Sequence, residues 1–527
     1  MTIFNFCVFF CDEIVFPFLQ KNYYLCTQFF IEIIILNFNI MNTKKIQELE
    51  PQALWNNFYK ITQIPRPSGK MDEISKFLLD FGKSLKLETL QDKTGNILIR
   101  KPATRGMENC KTVVLQAHMD MVPQKNNDVK HDFQRDPIDA YIDGEWVTAR
   151  GTTLGADNGI GMAAAMAVLE SKDIAHPALE MFITVDEETG MDGAFGLEAN
   201  FLKGDILLNL DTEQEGEFCV GCAGGLDATM TFKYQQTEVP KGDVAMRLTL
   251  SGLKGGHSGL DIILQRANAN KLLFRLLKEA VKEYDARLAC YDGGNMRNAI
   301  PREACAEVTI PKENIDIFVD FVKQKEKQFI EEYAGIEENL TLDVTKCDLP
   351  DGLLPEEIQD DLINAVTACP NGVFRMIPEV AGVVETSSNL AIINTDGKSA
   401  VLKALLRSSV ETRKQELAEM FDSLFSLAGA KVEFSGAYPG WNPNMKSPIL
   451  KTFCDVYERK FGTKPEVVIV HAGLECGILG TNYPKMDMIS CGPTIKYPHS
   501  PDEKVNIAAV AKFWEFFKET LSNIPKK

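Results

Sequence analysis

Three short apolar runs of this chain each end at side chains that are able to bind a metal ion. The runs and the polar residues that follow them are 113–117 with His118 and Asp120, 181–185 with Glu187 and Glu188, and 206–210 with Asp211. Short apolar runs bounded by turn residues are typical of buried strands in a parallel or mixed sheet. Because the carboxyl ends of such strands meet at one edge, we expect these polar side chains to share a crevice.

Two further candidates complete the set. Asp157 lies in the tight turn LGADNG, and His499 lies far downstream in PHSPDE. One histidine, three carboxylate sites and a distant histidine predict a two-metal hydrolase, in which a carboxylate bridges both metals and a shared water is activated. Mixed imidazole and carboxylate ligands suit zinc, and manganese or cobalt less selectively. Asp157 is the predicted bridge, although a helix cap near Asn158 is the alternative.

The neighbours of these ligands suggest how they work. Asp120 lies two residues after His118, on the same side of an extended chain, where it can orient the imidazole. The adjacent Glu187 and Glu188 predict a division of labour, in which one binds metal and the other removes a proton from water. His257, in GGHSG, is either functional or a turn residue. The same choice stays open for His471.

Strands and helices alternate from 95 to 211, which predicts an α/β layer fold. The predicted strands are 96–100, 112–117, 178–185 and 205–210, with a helix at 159–169. A strand-helix-strand-strand-helix-strand character over 225–435 predicts an inserted α+β domain, and the recurrence of this pattern suggests two similar units. Its first helix is predicted at 262–284. We therefore expect catalytic parts at 42–224 and 439–527, interrupted by a lid domain at 225–438.

The bulk composition bounds the class of protein. A chain of 527 residues favours two domains. The net charge of −18 argues against a nucleic-acid partner, which needs clustered Lys and Arg. Thirteen cysteines without a second CxxC pair favour a reduced, cytoplasmic setting. We interpret Cys219 and Cys222 as small buried residues at a strand and turn.

Residues 1–41 differ from the rest of the chain. They are rich in Phe, Ile and Asn, and they lack a basic segment before an apolar stretch and a small-residue cleavage site. Polar residues break the apolar run well short of the ~20 residues that span a bilayer. We expect an upstream extension outside the working protein; a membrane anchor or an atypical signal is the alternative.

Five motifs together make the chain resemble a known family. They are HMD, GADNG, DEETG, LDTE, and GPTI followed by HSPDE. The chain is similar to the di-zinc exopeptidases, which include aminoacylases, glutamate carboxypeptidases and carnosinase-type dipeptidases, and the likeness is greatest to the aminoacyl-histidine dipeptidase branch. It covers about 45–525. The resemblance implies a mixed sheet sandwiched by helices, interrupted by an α+β lid domain.

The resemblance also implies roles for individual residues. His118 and Asp211 would bind one zinc, Glu188 and His499 the other, and Asp157 would bridge the two. Glu187 would be the general base, and Asp120 would orient His118. In the lid, the implied roles are oxyanion stabilisation by His257, a substrate contact from Asn298, and a grip on the free C-terminal carboxylate by Arg407.

The implied activity is hydrolysis of unblocked dipeptides, Xaa-His among them, by a water that two zinc ions activate. N-acyl amino acid hydrolysis at the same metal site is one alternative, and a catalytically silent binding protein is another. The expected partner is a small peptide substrate. We also expect a homodimer, and neither nucleic acid nor a membrane as a partner.

Overall fold

A computed structural model describes residues 45–378 and 380–527; the expectation for residues 1–41 lies outside them. The strands, in chain order, are β1 Glu88–Gln91, β2 Ile97–Lys101, β3 Val113–His118, β4 Ala140–Asp143, β5 Trp146–Ala149, β6 Leu179–Thr184, β7 Ile206–Asn209, β8 Glu217–Cys222, β9 Gly224–Lys233, β10 Asp243–Ser251, β11 Gly256–His257, β12 Arg287–Gly293, β13 Ala299–Ile300, β14 Ala304–Pro311, β15 Thr341–Lys346, β16 Gly372–Met376, β17 Val384–Thr395, β18 Ser399–Ser408, β19 Lys431–Tyr438, β20 Glu466–Val470, β21 Asp487–Ser490, β22 Ile495–Lys496 and β23 Lys504–Asn506.

The helices connect these strands. In chain order they are α1 Gln52–Thr62, α2 Asp72–Ser84, α3 Ala156–Glu170, α4 Glu187–Gly190, α5 Asp192–Phe195, α6 Ala269–Tyr284, α7 Ile315–Glu332, α8 Glu356–Ala368, α9 Glu411–Leu427, α10 Pro448–Phe461, α11 Glu475–Asn482 and α12 Ile507–Ser522. In the described part of the chain, none of them combines the length and apolar character needed to cross a bilayer.

The first sheet has eight strands in the order β1-β2-β6-β3-β7-β21-β8-β20. Its centre is parallel, since β3 pairs in parallel with β6 and β7, and β21 in parallel with β7. Its edges include antiparallel pairs, such as β1 with β2. The sheet is therefore mixed, and the α/β fold class predicted from the sequence is confirmed.

Both faces of this sheet are buried. Val113 and Leu115 contribute to a core that contains residues of α1, α3, α10 and α12, whereas Val114 faces a second core with residues of α5 and α11. Alternate residues of a strand point to opposite faces. A strand that is covered on both faces is apolar at most positions, which explains the apolar runs in the sequence, and its few polar side chains need buried hydrogen-bond partners.

The second sheet is built from residues 224–438 and has its own apolar core. Its main path is β15-β10-β14-β12-β17-β18-β9-β19, and β16 pairs with β17. The strands β10, β12, β14 and β15 form one half, and β9, β17, β18 and β19 form the other. If the four strands of each half are numbered in chain order, both halves have the order 4-1-3-2 from the outer edge to the centre of the sheet. The second strand of one half, β12, pairs antiparallel with the second strand of the other, β17, at the centre. The lid sheet is thus an approximate two-fold repeat.

The chain enters the second sheet at Ala223, between β8 and β9, and leaves it after β19. One prediction within this region is wrong. The helix expected at 262–284 begins at Ala269, because 262–264 form a 3-10 turn and Gln265 adopts a left-handed conformation with φ 52°. Asn268 then caps the helix by accepting a hydrogen bond from the Lys271 amide.

Candidate active site

Neighbouring strand ends and two loops bring the five predicted metal ligands together. His118 is the last residue of β3, Asp211 lies two residues beyond β7, and Glu188 lies in α4 after β6. These three strands are adjacent and parallel, so their carboxyl ends share one edge. Asp157 lies in the first turn of α3, and His499 lies in the loop between β22 and β23.

Asp157 lies between two groups of side chains and presents one oxygen to each. Its Oδ1 is 3.1 Å from His118 Nε2, which is 3.4 Å from Asp211 Oδ1. Its Oδ2 is 3.0 Å from His499 Nε2, which is 3.0 Å from Glu188 Oε1. Both Asp157 oxygens face histidines, Oδ1 toward His118 and Oδ2 toward His499, which favours the bridging role over the helix-cap alternative.

The site is strongly acidic. Burial by itself lowers the pKa of His118, but the nearby carboxylates, Asp211 foremost, outweigh burial and hold that pKa well above its usual value. Hydrogen bonds to Asp157 and Glu188 raise the pKa of His499 to about 11. Several carboxylates buried together are costly without a compensating positive charge. The arrangement therefore favours a cation between them.

The residues present fit a metal ion. Within the described residues, the ligand atoms of His118, Asp157 and Glu188 all lie within 4.8 Å of one another. Asp211 and His499 add a carboxylate and an imidazole on either side of Asp157. Imidazole and carboxylate donors of this kind are the ligands of catalytic zinc sites, and they also accept manganese or cobalt.

Asp120 connects the His118 ring to the loop after β6. Its Oδ1 is 3.4 Å from His118 Nδ1, on the side of the ring opposite Asp157. The same carboxylate accepts hydrogen bonds from the Ser68 hydroxyl and from the backbone amides of Glu187 and Glu188. Asp120 is fully buried, so one carboxylate fixes both the imidazole and the segment that carries two acidic side chains.

Glu187 begins α4 beside the predicted ligands. Burial raises its pKa well above the usual value, and the negative charges of Asp211, Glu475 and Glu188 add to that effect. A carboxyl group with a raised pKa takes up and returns a proton more readily near neutral pH than an exposed glutamate does. The structure thus gives Glu187 an environment suited to acid–base chemistry.

Two buried residues that sequence reasoning left without a role support the turn that carries Asp157. The Glu503 carboxylate accepts hydrogen bonds from the backbone amides of residues 154–157, at 2.7 to 3.3 Å. The Arg66 guanidinium donates to the carbonyls of Met119, Asp120 and Gly155. A fully buried arginine and a buried glutamate thereby link the β3 end to the α3 turn.

A row of polar side chains crosses the first sheet beneath the site. Glu475, the first residue of α11, accepts hydrogen bonds from Gln116 (2.6 Å) and Thr184 (2.8 Å). The row continues from Gln116 to Asn209 (2.5 Å) and on to Ser490. All of these side chains are at most 1 % exposed. They connect the neighbouring strands β6, β3, β7 and β21.

His257 lies in the second sheet's domain, in the short strand β11. Its Nδ1 accepts hydrogen bonds from the amides of Gly259 (3.1 Å) and Leu260 (3.0 Å). Burial, helped by the charge of Arg407, lowers the pKa of His257 to about 4. The ring is therefore neutral near pH 7 and carries its proton on Nε2, where it is available as a hydrogen-bond donor.

The other two predicted lid residues differ in their surroundings. Arg407, in β18, is 4 % exposed, and it donates to the hydroxyls of Tyr438 (2.9 Å) and Ser258 (3.5 Å). Asn298 is an exposed turn residue whose carbonyl accepts a hydrogen bond from the Ser258 amide. Asn298 thus lies beside the His257 segment, and Arg407 beside the residue that follows His257.

The lid segment around His257 contacts the first domain at His471. The His471 Nε2 is 2.7 Å from the Ser387 hydroxyl, and a Cβ at Gly259 would overlap the His471 carbonyl oxygen. Burial, aided by Arg407, lowers the pKa of His471 to about 3. Cys219 lies within β8 and Cys222 ends it, and both are buried free thiols, as interpreted from the sequence.

Known peptidases resemble this chain over most of its length. A model of peptidase family M20/M25/M40 matches residues 114–523. The cytosol non-specific dipeptidase of Escherichia coli (strain K12) is 48% identical over 483 residues, which cover 92% of this chain and 100% of that protein.

Solved structures give the same picture. The aminoacylhistidine dipeptidase from Vibrio alginolyticus has a TM-score of 0.86 and 50% identity, covering 92% of this chain and 99% of that one. A Bacillus cereus aminopeptidase has a TM-score of 0.52 at 17% identity, covering 90% and 99% of the two chains, and shows the fold alone.

Proposed function

This chain belongs to peptidase family M20/M25/M40, and we propose that it hydrolyses unblocked dipeptides at a two-zinc site. The observation that carries the proposal is the position of Asp157, with one oxygen toward each histidine and Glu187 close by. Two relatives that span nearly the whole chain are named as dipeptidases, which supports this substrate class. The expected cytoplasmic location rests on the name of the first.

We assign the ligands by the two groups around Asp157. His118 and Asp211 would hold one ion, His499 and Glu188 the other, and Asp157 would bridge them. When bound by these residues, zinc would supply Lewis-acid chemistry, lowering the pKa of a water and polarising the peptide carbonyl. Asp120 keeps His118 in the orientation that leaves its Nε2 free for a ligand bond.

Glu187 is the proposed general base. It accepts a proton from the attacking water and then returns this proton to the nitrogen of the departing amine. Burial raises the pKa of Glu187, and a carboxylate with a raised pKa is a stronger base toward the attacking water. Asp120 fixes the Glu187 backbone amide, and so the position of this base.

The lid residues act on the substrate. His257 Nε2–H is the proposed donor to the oxyanion that forms when water adds to the peptide carbonyl. Arg407 binds the C-terminal carboxylate of the dipeptide, since a planar guanidinium matches a carboxylate bidentately. Asn298, on the turn beside His257, is the proposed contact to the substrate backbone.

The test is a substrate panel with the full chain loaded with zinc. The panel contains unblocked dipeptides, including Xaa-His, together with tripeptides and N-acetyl amino acids. Cleavage confined to dipeptides and abolished by a chelator is the expected result. Preferential cleavage of N-acetyl amino acids would move the activity to acylase chemistry, and bound zinc without any turnover would indicate a binding protein.

A further inference from the structure

Four residues lie side by side across the lid sheet next to the catalytic residues. Ser387 of β17 pairs with Arg407 of β18, Arg407 with Gly225 of β9, and Gly225 with Tyr438 of β19. Cross-strand partners present their side chains on the same face of a sheet. Arg407 and Tyr438 therefore point the same way, with only a glycine between them.

Gly225 makes the contact between these two side chains possible. A Cβ at position 225 would overlap the Tyr438 ring. With no side chain there, the Tyr438 hydroxyl reaches across the strand and accepts a hydrogen bond of 2.9 Å from Arg407 Nη1. The backbone of Tyr438 is also fixed, because Lys414 Nζ donates a hydrogen bond of 2.6 Å to its carbonyl.

The proton of the Tyr438 hydroxyl takes no part in the hydrogen bond with Arg407. A guanidinium only donates, so the hydroxyl is the acceptor, and its own proton must point elsewhere. The other Arg407 contact has the same character, because Nη2 donates to the Ser258 hydroxyl at 3.5 Å. Within the described residues, Arg407 Nε is buried without a hydrogen-bond partner. Three donors therefore remain for an acceptor beside Arg407: its own Nε–H and the hydroxyl groups of Tyr438 and Ser258.

Tyr438 and Met191 both pack against the second apolar core of the first domain. A Cβ at Gly473 would lie 2.9 Å from Tyr438 Cε2 and 3.4 Å from Met191 Cε. Met191 directly follows the α4 helix that begins with Glu187. The Tyr438 ring therefore borders both Arg407 and the segment that carries the proposed general base.

We propose that Tyr438 is a substrate-binding residue, whose hydroxyl donates a hydrogen bond to the C-terminal carboxylate that Arg407 grips. This proposal rests on the proposed dipeptidase function and adds a specificity-determining residue to it. The hydroxyl donates a charge-assisted hydrogen bond to a free carboxylate, whereas the carbonyl oxygen of a C-terminal amide accepts only a weaker, neutral one. Tyr438 therefore contributes to the preference for substrates that end one residue after the cleaved bond.

The test compares Tyr438→Phe with the wild type, using the zinc-loaded full chain. The variant keeps the ring and loses only the hydroxyl. We expect KM for an unblocked dipeptide to rise about 10- to 100-fold, as for a lost hydrogen bond to a charged group, while kcat changes less than about threefold. Inhibition constants for leucine and leucinamide are measured in parallel. Both carry the amine that can touch zinc, so their difference reports the carboxylate.

The expected pattern is a larger weakening of inhibition by leucine than by leucinamide. Tyr457→Phe is the matched control, because it removes a hydroxyl bonded to Glu215 and Lys512 away from the site. Equal weakening of both inhibitors, or no change in either, would overturn the role of Tyr438. If the wild type cleaves no dipeptide, the proposed function fails, and leucine binding measured by calorimetry still decides whether Tyr438 recognises a carboxylate.

Discussion

The substitution Glu187→Gln tests whether Glu187 transfers a proton without binding metal. Glu187→Gln keeps the size of the side chain but cannot accept a proton from water. We expect kcat for dipeptides to fall by about 10²- to 10⁴-fold, with the zinc content per chain unchanged. Steady-state kinetics and metal analysis of the same sample measure the two effects.

The control for this change is Glu73→Gln, which alters an exposed glutamate of α2 in the same way. It should leave kcat and zinc content as in the wild type. Full activity of Glu187→Gln with zinc bound would contradict the assignment of the base. Loss of zinc together with activity would instead make Glu187 a ligand.

At the scale of a single element, the first turn of α3 depends on Glu503. Four backbone amides from residues 154–157 donate to this one carboxylate, and Asp157 lies at the end of that turn. Glu503→Gln replaces one acceptor oxygen by a donor that faces amide hydrogens. We expect the free energy of unfolding to fall by about 1–3 kcal/mol and zinc affinity to weaken.

Urea unfolding and zinc titration against a competing chelator measure these two quantities. Asp502→Asn is the matched control, because Asp502 is the exposed neighbour of Glu503 in the same loop. An unfolding free energy and a zinc affinity equal to those of the wild type would show that the turn holds Asp157 without Glu503.

The polar row beneath the site predicts a pH effect on stability in the metal-free protein. Burial raises the pKa of Glu475 to about 8, so the folded state holds a proton that the unfolded chain releases near pH 4.5. The stability that this proton provides is complete below about pH 4.5 and is lost as pH rises through about 8. Glu475→Gln cannot ionise, so its free energy of unfolding should fall less between pH 5.5 and 8.5.

Urea unfolding of chelator-treated protein at both pH values gives the difference. Glu458→Gln, at an exposed position of α10, is the control and should match the wild type at each pH. An identical fall for Glu475→Gln and the wild type would mean that Glu475 is already ionised in the folded protein.

At the scale of the whole molecule, the two halves of the lid sheet pair inside one chain. The His257 segment rests on the first domain of the same chain, through Gly259 against the His471 carbonyl and through Ser387 bonded to His471. We therefore expect His257 to serve the metal site of its own chain. The expected homodimer stays a prediction, and catalysis would not depend on it.

A mixing experiment tests this expectation. Glu187→Gln and His257→Ala chains, each with low activity, are co-expressed and purified together. If His257 acts within its own chain, the mixture stays as inactive as its components. Recovery of a substantial fraction of wild-type activity would mean that a partner chain supplies His257. Size-exclusion chromatography with light scattering gives the assembly state of the same sample.

The sequence by itself determined the elements and the local chemistry. Apolar runs at 113–117 and 206–210 identified the central strands, because a strand covered on both faces is apolar at most positions. The residues that end those runs, His118 and Asp211, followed from the same pattern. Spacing also linked Asp120 to His118. The roles of these side chains remain predictions, whereas their position at one edge of the first sheet is observed in the structure.

Only the tertiary structure decided which distant residues support that edge. Glu475 bonds to Gln116 across 359 positions, and Glu503 bonds to the Leu154 amide across 349. The Arg407–Tyr438 contact likewise exists because Gly225 lies on the strand between them. Local spacing reports what lies on one strand or one turn. Contacts between strands depend on the order in which the sheet assembles, and that order has no local signature.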